Sequence, residues 1–211
     1  MPSILIAEDH SVVRMGIIFL VKELYADAEI IEAETFDEVI QVLNNRHFDL
    51  LLLDIHIPGG DNLQMVEAVK LRQPATAVLI VSSYDEQLYA LRYIRAGAHG
   101  YLQKNTSPEE IKKAIKKVLN NEKYIGQLIR EQLVMQKLDP ASKQSETDTL
   151  SNRETEIMQF LVRGSSTSEI KEALNIQDST VSTYKAKIFE KMQVSNVVEL
   201  AEKLRLLNYH V

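Results

Sequence analysis

The sequence predicts an α/β module with a doubly wound, five-stranded parallel sheet, followed by an all-α module of four helices. Over residues 1–121, short apolar runs alternate five times with segments in which apolar residues recur every three to four positions. This alternation is typical of a parallel sheet with right-handed crossovers and helices on both faces. A polar stretch follows, and residues 149–211 show helical spacing alone.

The predicted strands are short and rich in aliphatic residues. The run Leu50-Leu51-Leu52-Leu53 is the clearest, because four apolar residues in a row suit a strand that is covered on both faces. The helix after the last strand has a capping serine, Ser107, and a proline, Pro108, in its first turn. The predicted strands cover residues 4–7, 28–33, 50–53, 77–81 and 100–103.

Length and composition exclude some classes of protein. The chain has 211 residues, and its 45% hydrophobic and 26% charged content is ordinary for a globular protein. It has no Cys, which excludes disulfides and thiolate metal sites. It has no apolar run of about 18 residues and no basic signal segment, so we expect no membrane partner and a cytoplasmic location. The net charge of −6 argues against coating nucleic acid, but one cationic face can still bind DNA.

Polar residues stand where four of the predicted strands end. Glu8 and Asp9 follow the first strand, Asp54 ends the third, Ser82 ends the fourth and Lys104 follows the fifth. Because the carboxyl ends of parallel strands meet at one edge of a sheet, these side chains are expected to share a site. A helix cap is the alternative for each residue alone, but four strand ends are hard to explain in that way.

Three carboxylates in one place repel one another unless a cation lies between them. The chain has no thiol, and its five His residues show no metal-ligand pairing, so the candidate is a hard ion such as Mg²⁺. Magnesium commonly takes one or two carboxylates together with phosphate oxygens. Lys104 can then neutralise the phosphate, and Ser82 can donate a hydrogen bond to it. In this arrangement Asp54 can act as a nucleophile and form an aspartyl phosphate.

Residues 3 to about 121 resemble the receiver domain of two-component response regulators. The residues that carry the resemblance are Glu8, Asp9, Asp54, Pro58, Ser82, Tyr101, Lys104 and Asn105. The resemblance implies a flavodoxin-like fold with strand order 2-1-3-4-5. It also implies that a sensor histidine kinase transfers a phosphoryl group to Asp54.

The same resemblance implies roles for individual residues. Ser82 and Tyr101 correspond to a switch pair, in which the hydroxyl moves to the phosphoryl group and the aromatic ring turns inward. The chain departs from the family at two positions. Glu8 stands where Asp is commoner and keeps the negative charge. Asn62 stands where Gly is common, and Asn tolerates the same left-handed backbone. The implied Mg²⁺ ligands are the side chains of Glu8, Asp9 and Asp54 and the backbone carbonyl of His56.

Residues 122–148 form a predicted connector between the two modules. The segment 125–138 has an apolar stripe that is compatible with a helix, and 139–149 is polar. The polar part is interpreted as a flexible linker and a domain boundary. The predicted domains are therefore 1–121, the connector 122–148, and 149–211.

The second module shows the pattern of a helix-turn-helix. Ser151 can cap its first helix and Glu154 can complete a capping box. A short helix, a tight turn and a longer helix follow, which is the order of that motif. The predicted parts are a helix over 168–174, the turn Asn175-Ile176-Gln177, a third helix capped by Asp178 or Ser179, and a fourth over 196–207.

The third helix of this module carries the candidate DNA contacts. Val181, Ile188 and Met192 recur at a spacing that places them on a buried face. Small hydroxyls on the other positions can approach base edges, and lysines can contact phosphates. A plain helical bundle used for dimerisation is the alternative from the pattern alone. The candidate contacts are Thr180, Ser182, Thr183, Lys185, Lys187 and Lys191.

Residues 149–207 resemble the DNA-binding domain of the NarL/LuxR type. The resemblance implies promoter DNA as a partner and a last helix that dimerises on DNA, here through Val197, Leu200 and Leu204. Ser182 and Tyr184 stand where the family often has Lys and His, so the target sequence cannot be carried over. The residues that carry the resemblance are Leu150, Ser151, Arg153, Glu154, Glu156, Glu169, Ile170, Thr180, Val181, Thr183 and the run Lys187 to Met192.

Together these features predict a phosphorylation-controlled transcription regulator and not an enzyme. The expected partners are a sensor histidine kinase, promoter DNA and a second copy of the chain when phosphorylated or DNA-bound, with RNA polymerase a further candidate. One alternative is a receiver whose second module binds protein instead of DNA. The other is a haloacid-dehalogenase-like phosphatase, which is disfavoured because that family needs a second Asp where this chain has His56.

Overall fold

The computed structural model describes residues 1–60, 63–84, 86–126, 129–131 and 150–206. The chain divides into two compact units, Met1–Met135 and Gln136–Val211. The predicted connector helix over 125–138 and the linker over 139–149 fall mostly outside the described residues, as do Asn62 and 207–211. Within the described part of the chain, no helix is both long enough and apolar enough to cross a membrane.

A parallel sheet forms the centre of the first unit. Its order is β2-β1-β3-β4-β5, and the paired neighbours all run parallel among the described residues. The predicted sheet and its strand order are confirmed. The strands are β1 (Ser3–Ala7), β2 (Glu29–Ala33), β3 (Leu50–Asp54), β4 (Ala77–Ser82) and β5 (Gly100–Gln103).

Helices cover both faces of this sheet, which explains the continuous apolar run of β3. The leucines 50–53 are at most 1% exposed, and successive residues point to opposite faces. Leu50 and Leu52 pack in one cluster with Ile17 and Ile115 of the first and fifth helices. Burying each such side chain contributes about 1.5–3 kcal/mol. The helices are α1 (Ser11–Leu24), α2 (Phe36–Asn45), α3 (Leu63–Arg72), α4 (Glu86–Arg95) and α5 (Pro108–Leu119).

The helices of the first unit begin in different ways. Thr35 and Ser107 cap α2 and α5, because each side chain accepts a hydrogen bond from the backbone N–H three residues later. His10 precedes α1 but makes no side-chain cap bond. The turn between β1 and α1 is therefore not fixed by a capping side chain.

The second unit is an all-α module, as predicted. Its apolar side chains form one core, and the predicted buried face of Val181, Ile188 and Met192 is confirmed, since all three are at most 1% exposed. Asn175 lies in the left-handed region with φ of 50°, within the predicted turn. The helices are α6 (Asn152–Val162), α7 (Thr167–Leu174), α8 (Asp178–Lys191) and α9 (Val197–Leu206).

Capping boxes fix the first two helices of this module. Ser151 and Glu154 form the predicted box of α6, and Ser166 and Glu169 form a second, unpredicted box at α7. The prediction that Asp178 or Ser179 caps α8 is wrong. The residue before this helix is Gln177, which makes no side-chain cap bond, and Asp178 already lies in the helix.

Candidate functional site

The carboxyl edge of the sheet brings the predicted acidic residues together. Ala7 pairs with Leu53, so Glu8 comes level with Asp54 at the end of the neighbouring strand. Ligand-capable atoms of Glu8, Asp9, His10 and Asp54 all lie within 4.8 Å of one another. Glu8 is 1% exposed and Asp54 is 3% exposed. Two of the three carboxylates are thus almost fully withdrawn from water.

Lys104 lies directly between the two buried carboxylates. Its Nζ donates to Glu8 Oε1 at 2.9 Å and to Asp54 Oδ2 at 3.0 Å, and its backbone N–H donates to the carbonyl of Ser82 at 2.7 Å. Burial alone lowers the pKa of Lys104, but the hydrogen bonds to Glu8 and Asp54 outweigh it and raise that pKa above its ordinary value. Lys104 is therefore a charged ammonium that partly neutralises the cluster.

The carboxylate set fits a hard divalent cation. One lysine opposes three carboxylates, so the cluster keeps a negative charge. Glu8 Oε2 lies 2.7 Å from Lys104 Nζ but outside hydrogen-bonding geometry, and among the described residues it is a buried oxygen without a donor. Carboxylate oxygens in a partly buried site are the donors that Mg²⁺ prefers. The residues that could hold such an ion are Glu8, Asp9 and Asp54.

His10, which the sequence did not single out as a candidate ligand, also lies at this cluster. Its Nδ1 is 2.7 Å from Asp9 Oδ1 and 3.2 Å from Glu8 Oε1. The hydrogen bond to Asp9 raises the pKa of His10 above its ordinary value. The available signal was adjacency, because His10 directly follows Glu8 and Asp9 in the sequence.

His56 lies beside the carboxylate of Asp54. Its backbone N–H donates to Asp54 Oδ1 at 3.2 Å. The imidazole is hydrogen-bonded to the hydroxyl of Tyr84, and the two rings pack edge to face with centroids 4.4 Å apart. The prediction that the His56 carbonyl binds a metal stays a prediction.

Tyr84, which no sequence motif singled out, connects the predicted switch residues Ser82 and Tyr101. Its N–H donates to Ser82 Oγ at 3.0 Å, and its carbonyl accepts a hydrogen bond from the Tyr101 hydroxyl at 3.1 Å. Both Ser82 and Tyr101 are buried, and the Tyr101 ring points inward. The backbone of one residue thus bonds both members of the pair.

The hydroxyl side chains predicted to contact DNA lie along α8. Ser182 and Thr183 are exposed, and Thr180 is half-buried. The Ser182 hydroxyl donates to the carbonyl of Asp178 at 3.0 Å, and that of Thr183 donates to Ser179 at 2.9 Å. These bonds satisfy the hydroxyl hydrogens within the helix, so the oxygens remain as acceptors on an exposed surface.

The lysines of α8 fall into two groups. Lys185 lies over the ring of Phe189 at 5.6 Å, and Lys187 over that of Tyr184 at 6.0 Å. A ring face attracts a cation but does not cancel its charge. Lys191 instead donates to the buried carboxylate of Glu154 at 2.7 Å. The charge of Lys191 is therefore already paired inside the module.

The predicted dimer residues of α9 need a correction. Leu200 and Leu204 are 0% exposed and belong to the core of the module, and Val197 is half-buried. Packing within one chain accounts for both leucines, so they are not surface residues available to a second copy. Val198 of this helix is an exposed apolar residue, at 71%.

Two protein families match the sequence. The response regulator receiver domain matches residues 4–116. The luxR family of bacterial regulatory proteins matches residues 148–204. The first match contains the carboxyl-edge cluster and the second contains α6 to α8.

Known proteins of similar length resemble the chain throughout. It is 32% identical to the Fimbriae Z protein of Escherichia coli (strain K12) over 205 residues, 97% of this chain and 96% of that protein. It is 29% identical to the response regulator GacA of Pseudomonas aeruginosa over 201 residues, 95% and 94% of the two chains.

Among solved structures, the fold resembles that of the RcsB response regulator of Salmonella typhimurium. The TM-score is 0.60 at 22% identity, covering 97% of this chain and 100% of that chain. RcsB bound to promoter P1flhDC in the presence of the phosphomimetic BeF3- gives a TM-score of 0.58 at 21% identity, covering 96% and 97%. At these identities the likeness concerns the fold alone. The receiver match over more than half of the chain, and the 32% identity to a relative of similar length, show that this chain belongs to the response regulators with a receiver domain and a luxR-family regulatory domain.

Proposed function

We propose that this protein accepts a phosphoryl group on Asp54 from a sensor histidine kinase and regulates transcription through its second module. The observation that carries the proposal is the buried cluster of Glu8, Asp54 and Lys104, with Asp9 beside it, at the carboxyl edge of the sheet. Family membership supports the joining of a receiver to a DNA-binding output. The proposed domains are the receiver 1–121, the connector 122–148 and the DNA-binding domain 149–211.

Asp54 is the proposed nucleophile. One of its carboxylate oxygens attacks the phosphorus of the kinase's phosphohistidine, a P–O bond forms, and the P–N bond breaks. The histidine nitrogen leaves with the electron pair of that bond and takes up a proton. Lys104, which already donates to Asp54 at 3.0 Å, exchanges that hydrogen bond for one to a phosphoryl oxygen.

Mg²⁺ is the proposed cofactor of this step. Glu8, Asp9 and Asp54 would hold it, and the resemblance adds the carbonyl of His56. When bound, it supplies neutralisation of the transferring phosphoryl oxygens and helps to align them. The two buried carboxylates and Lys104 are in place before phosphorylation, so the residues that receive the charged group need little rearrangement.

Phosphorylation has a direct structural route to the switch pair. A phosphoryl group on Asp54 offers three acceptor oxygens, and the hydroxyl of buried Ser82 is the proposed donor to one of them. The Ser82 oxygen at present accepts from Tyr84, whose carbonyl holds the Tyr101 hydroxyl. Movement of Ser82 therefore perturbs the loop that fixes Tyr101, and we propose this as the two-state element of the receiver.

We propose the exposed apolar face of α1 as the docking surface for the kinase. Val12, Met15 and Phe19 recur along one helix face and are 75%, 61% and 63% exposed. Phe19 also lines a groove of 540 Å³ between α1 and α5, and Lys104 of the site lies in the same groove. Exposed apolar stripes of this kind are typical of protein-binding surfaces.

This docking surface predicts a selective defect. The double variant M15S/F19S should slow phosphoryl transfer from a kinase by about tenfold, the effect of losing about 1.4 kcal/mol of binding. It should leave labelling by acetyl phosphate unchanged, because the small donor needs no docking surface. The exposed residue Leu71, on α3, gives the control variant L71S. Equal losses with both donors would contradict the assignment of this face to the kinase.

Promoter DNA is the proposed partner of the second module. The exposed hydroxyls of Ser182 and Thr183 lie towards the amino end of α8, with Lys185 and Lys187 in the following turns. Hydroxyl oxygens can read base edges, and the lysines can neutralise phosphates. We also propose a second copy of the chain and RNA polymerase as partners, and a cytoplasmic location. In this proposal the protein acts as a regulator and not as an enzyme.

The direct test of the phosphoacceptor is labelling of the purified chain with a radioactive phosphodonor and Mg²⁺. The wild type should be labelled, D54A should remain at background, and the label should be lost at alkaline pH, as expected for an acyl phosphate. Turnover of a generic phosphomonoester would instead favour the phosphatase alternative. Labelling of D54A at the level of the wild type would contradict the assignment of Asp54.

A receiver with a protein-binding output is the second candidate function. It is favoured by the ion pairs that occupy Lys171 and Lys191, which leave fewer cations for phosphates. Salt dependence separates the two outputs, because log affinity for DNA falls with log salt by about 0.9 per phosphate contact. Absence of binding to any promoter fragment, with and without phosphodonor, would favour the protein-binding output.

A further inference from the structure

Arg14, near the amino end of α1, connects the metal-binding turn to the edge of the sheet. Its side chain is only 11% exposed, and three of its nitrogens are engaged. Nη1 donates to the carbonyl of Glu8 at 2.6 Å, Nε to Glu32 at 2.8 Å and Nη2 to Glu34 at 2.6 Å. Neither the reaction chemistry nor the family match assigned a role to this residue.

These contacts fix the backbone on both sides of Glu8. The N–H of Glu8 donates to the carbonyl of Ala33 at 3.0 Å, and its carbonyl accepts from Arg14. Glu32 lies in β2 and Glu34 follows it, so both anchors of the guanidinium belong to the neighbouring strand and its loop. The Glu8-Asp9 turn is thus tied to the sheet by its own peptide and by Arg14.

The turn has a particular need for such a tie. The carboxylates of Glu8, Asp9 and Asp54 repel one another, and the single charge of Lys104 offsets only part of this repulsion. The helix that follows offers no capping side chain, since His10 makes no cap bond, whereas Thr35 and Ser107 cap α2 and α5. A planar guanidinium can serve three acceptors at fixed angles, which an ammonium on a flexible chain cannot do equally well.

We infer that Arg14 is a positioning residue that holds the Glu8-Asp9 turn in its metal-binding geometry and so strengthens binding of Mg²⁺. The inference rests on the proposed function of the carboxyl-edge cluster. Arg14 acts through the Glu8 carbonyl and touches neither the metal nor the phosphoryl group. Residues that orient metal ligands in this way typically account for about 10- to 100-fold in metal affinity.

The test is a titration of the full chain with Mn²⁺ as a stand-in for Mg²⁺, without phosphodonor, in which free Mn²⁺ is measured by electron paramagnetic resonance. The dissociation constant of R14A should rise by about tenfold or more. With acetyl phosphate as donor, the Mg²⁺ concentration at half-maximal labelling should rise by the same factor. The labelling rate at saturating Mg²⁺ should stay within about twofold, because Arg14 does not contact the reacting atoms.

Two further variants separate positioning from general stabilisation. K112A removes the Lys112–Glu23 ion pair of 2.7 Å, another tie between α1 and its surroundings, and should leave Mn²⁺ affinity unchanged. R14K keeps the positive charge but lacks the planar guanidinium, and its Mn²⁺ affinity should fall between those of R14A and the wild type. Wild-type affinity in R14A would overturn the inference and leave Arg14 as a structural tie between α1 and β2.

If R14A does not fold, the double variant E32Q/E34Q provides the same test, since it weakens both anchors of the guanidinium. Its affinity for Mn²⁺ should fall severalfold, and wild-type affinity in this folded variant would overturn the inference. Failure of the wild type itself to bind Mn²⁺ is a different outcome. It would contradict the proposed function of the carboxylate cluster and, with it, the role of Arg14.

Discussion

The two functional regions of this chain are built in opposite ways. The carboxyl-edge cluster combines Glu8, Asp54 and Lys104, which are far apart in sequence, and it buries both carboxylates. The proposed DNA-binding surface is formed by neighbouring residues of one helix, α8, with Ser182 and Thr183 exposed. A buried site made from several strands has its geometry set by the fold, whereas an exposed helix face is completed only by its partner.

The cations in the two regions show the same contrast. Lys104 is hydrogen-bonded to two buried carboxylates, so its charge is used within the fold. Lys185 and Lys187 lie over aromatic rings, which orient the side chains without cancelling their charge. It follows that loss of a cation should cost stability in the first region and partner affinity in the second.

Replacement of Lys104 should give the largest effect. In K104A, Glu8 and Asp54 remain buried without their cation, and the free energy of unfolding should fall by about 3 kcal/mol. Mg²⁺ should restore more stability to K104A than to the wild type, because it replaces the lost positive charge. Urea denaturation with and without MgCl₂ measures both effects.

K112A is the matched control for K104A, since its ion pair with Glu23 is more exposed and should contribute less than about 1 kcal/mol. Equal destabilisation by K104A and K112A would show that the buried cluster does not depend on its cation. An equal response of K104A and the wild type to Mg²⁺ would contradict the charge argument.

The amino edge of the same sheet supplies the second prediction. Burial, together with the nearby charges of Lys70 and Lys123, lowers the pKa of His99 to about 4. Its Nδ1 accepts a hydrogen bond from the Val78 N–H at 3.3 Å. The folded pKa lies below the unfolded value of 6.5, so the folded state binds the proton less readily. The contribution of neutral His99 is complete above pH 6.5 and is lost as the pH falls through about 4.

The measurable quantity is the difference in unfolding free energy between the wild type and H99Q as a function of pH. A tenfold difference in proton affinity between the folded and unfolded states corresponds to about 1.4 kcal/mol, and partial exposure of His99 reduces the effect. The difference between the two proteins should therefore change by about 2 kcal/mol between pH 7 and pH 4. The carboxylates titrate in both proteins, so their contributions to the unfolding free energy cancel in the difference. A difference that does not change with pH would show that His99 has no linked titration.

Replacement of the two lysines proposed to contact DNA, Lys185 and Lys187, should give the smallest change in free energy and no loss of stability. The double variant K185A/K187A should weaken promoter binding by about tenfold and reduce the salt dependence by about two phosphate contacts. K191A provides the control, because Lys191 pairs with buried Glu154 and should affect stability more than affinity. The contrast would fail if K191A weakened DNA binding as much as the double variant did.

The sequence predicted most of the fold and of the carboxyl-edge site, for a reason that particular residues make clear. The alternation of apolar runs placed Asp54 and Ser82 at strand ends, and parallel pairing then forces these ends to one edge. Hydrogen bonds between side chains and the backbone of loops could not be predicted in this way. Tyr84 connects Ser82 with Tyr101 through its backbone, and that depends on a loop conformation that no periodicity encodes.

The misses in the second module have a similar cause. The family resemblance implies a dimer role for Leu200 and Leu204, but both fill the module's own core. Helical spacing identifies an apolar face and does not show which surface covers it. The sequence predicts Asp178 or Ser179 as the cap of α8, but the chain enters this helix at Gln177 without a capping side chain. Val181 and Ile188 of this helix are buried, and helices in proteins gain most of their stability from such packing.

The link between Asp54 and α8 is tested by the affinity of the full chain for a promoter fragment selected from random DNA, measured with and without acetyl phosphate and Mg²⁺. We expect phosphorylation to increase the affinity of the wild type and to leave that of D54A unchanged. A wild-type affinity that does not respond to phosphodonor while Asp54 is labelled would contradict the claim that the carboxyl-edge cluster controls α8.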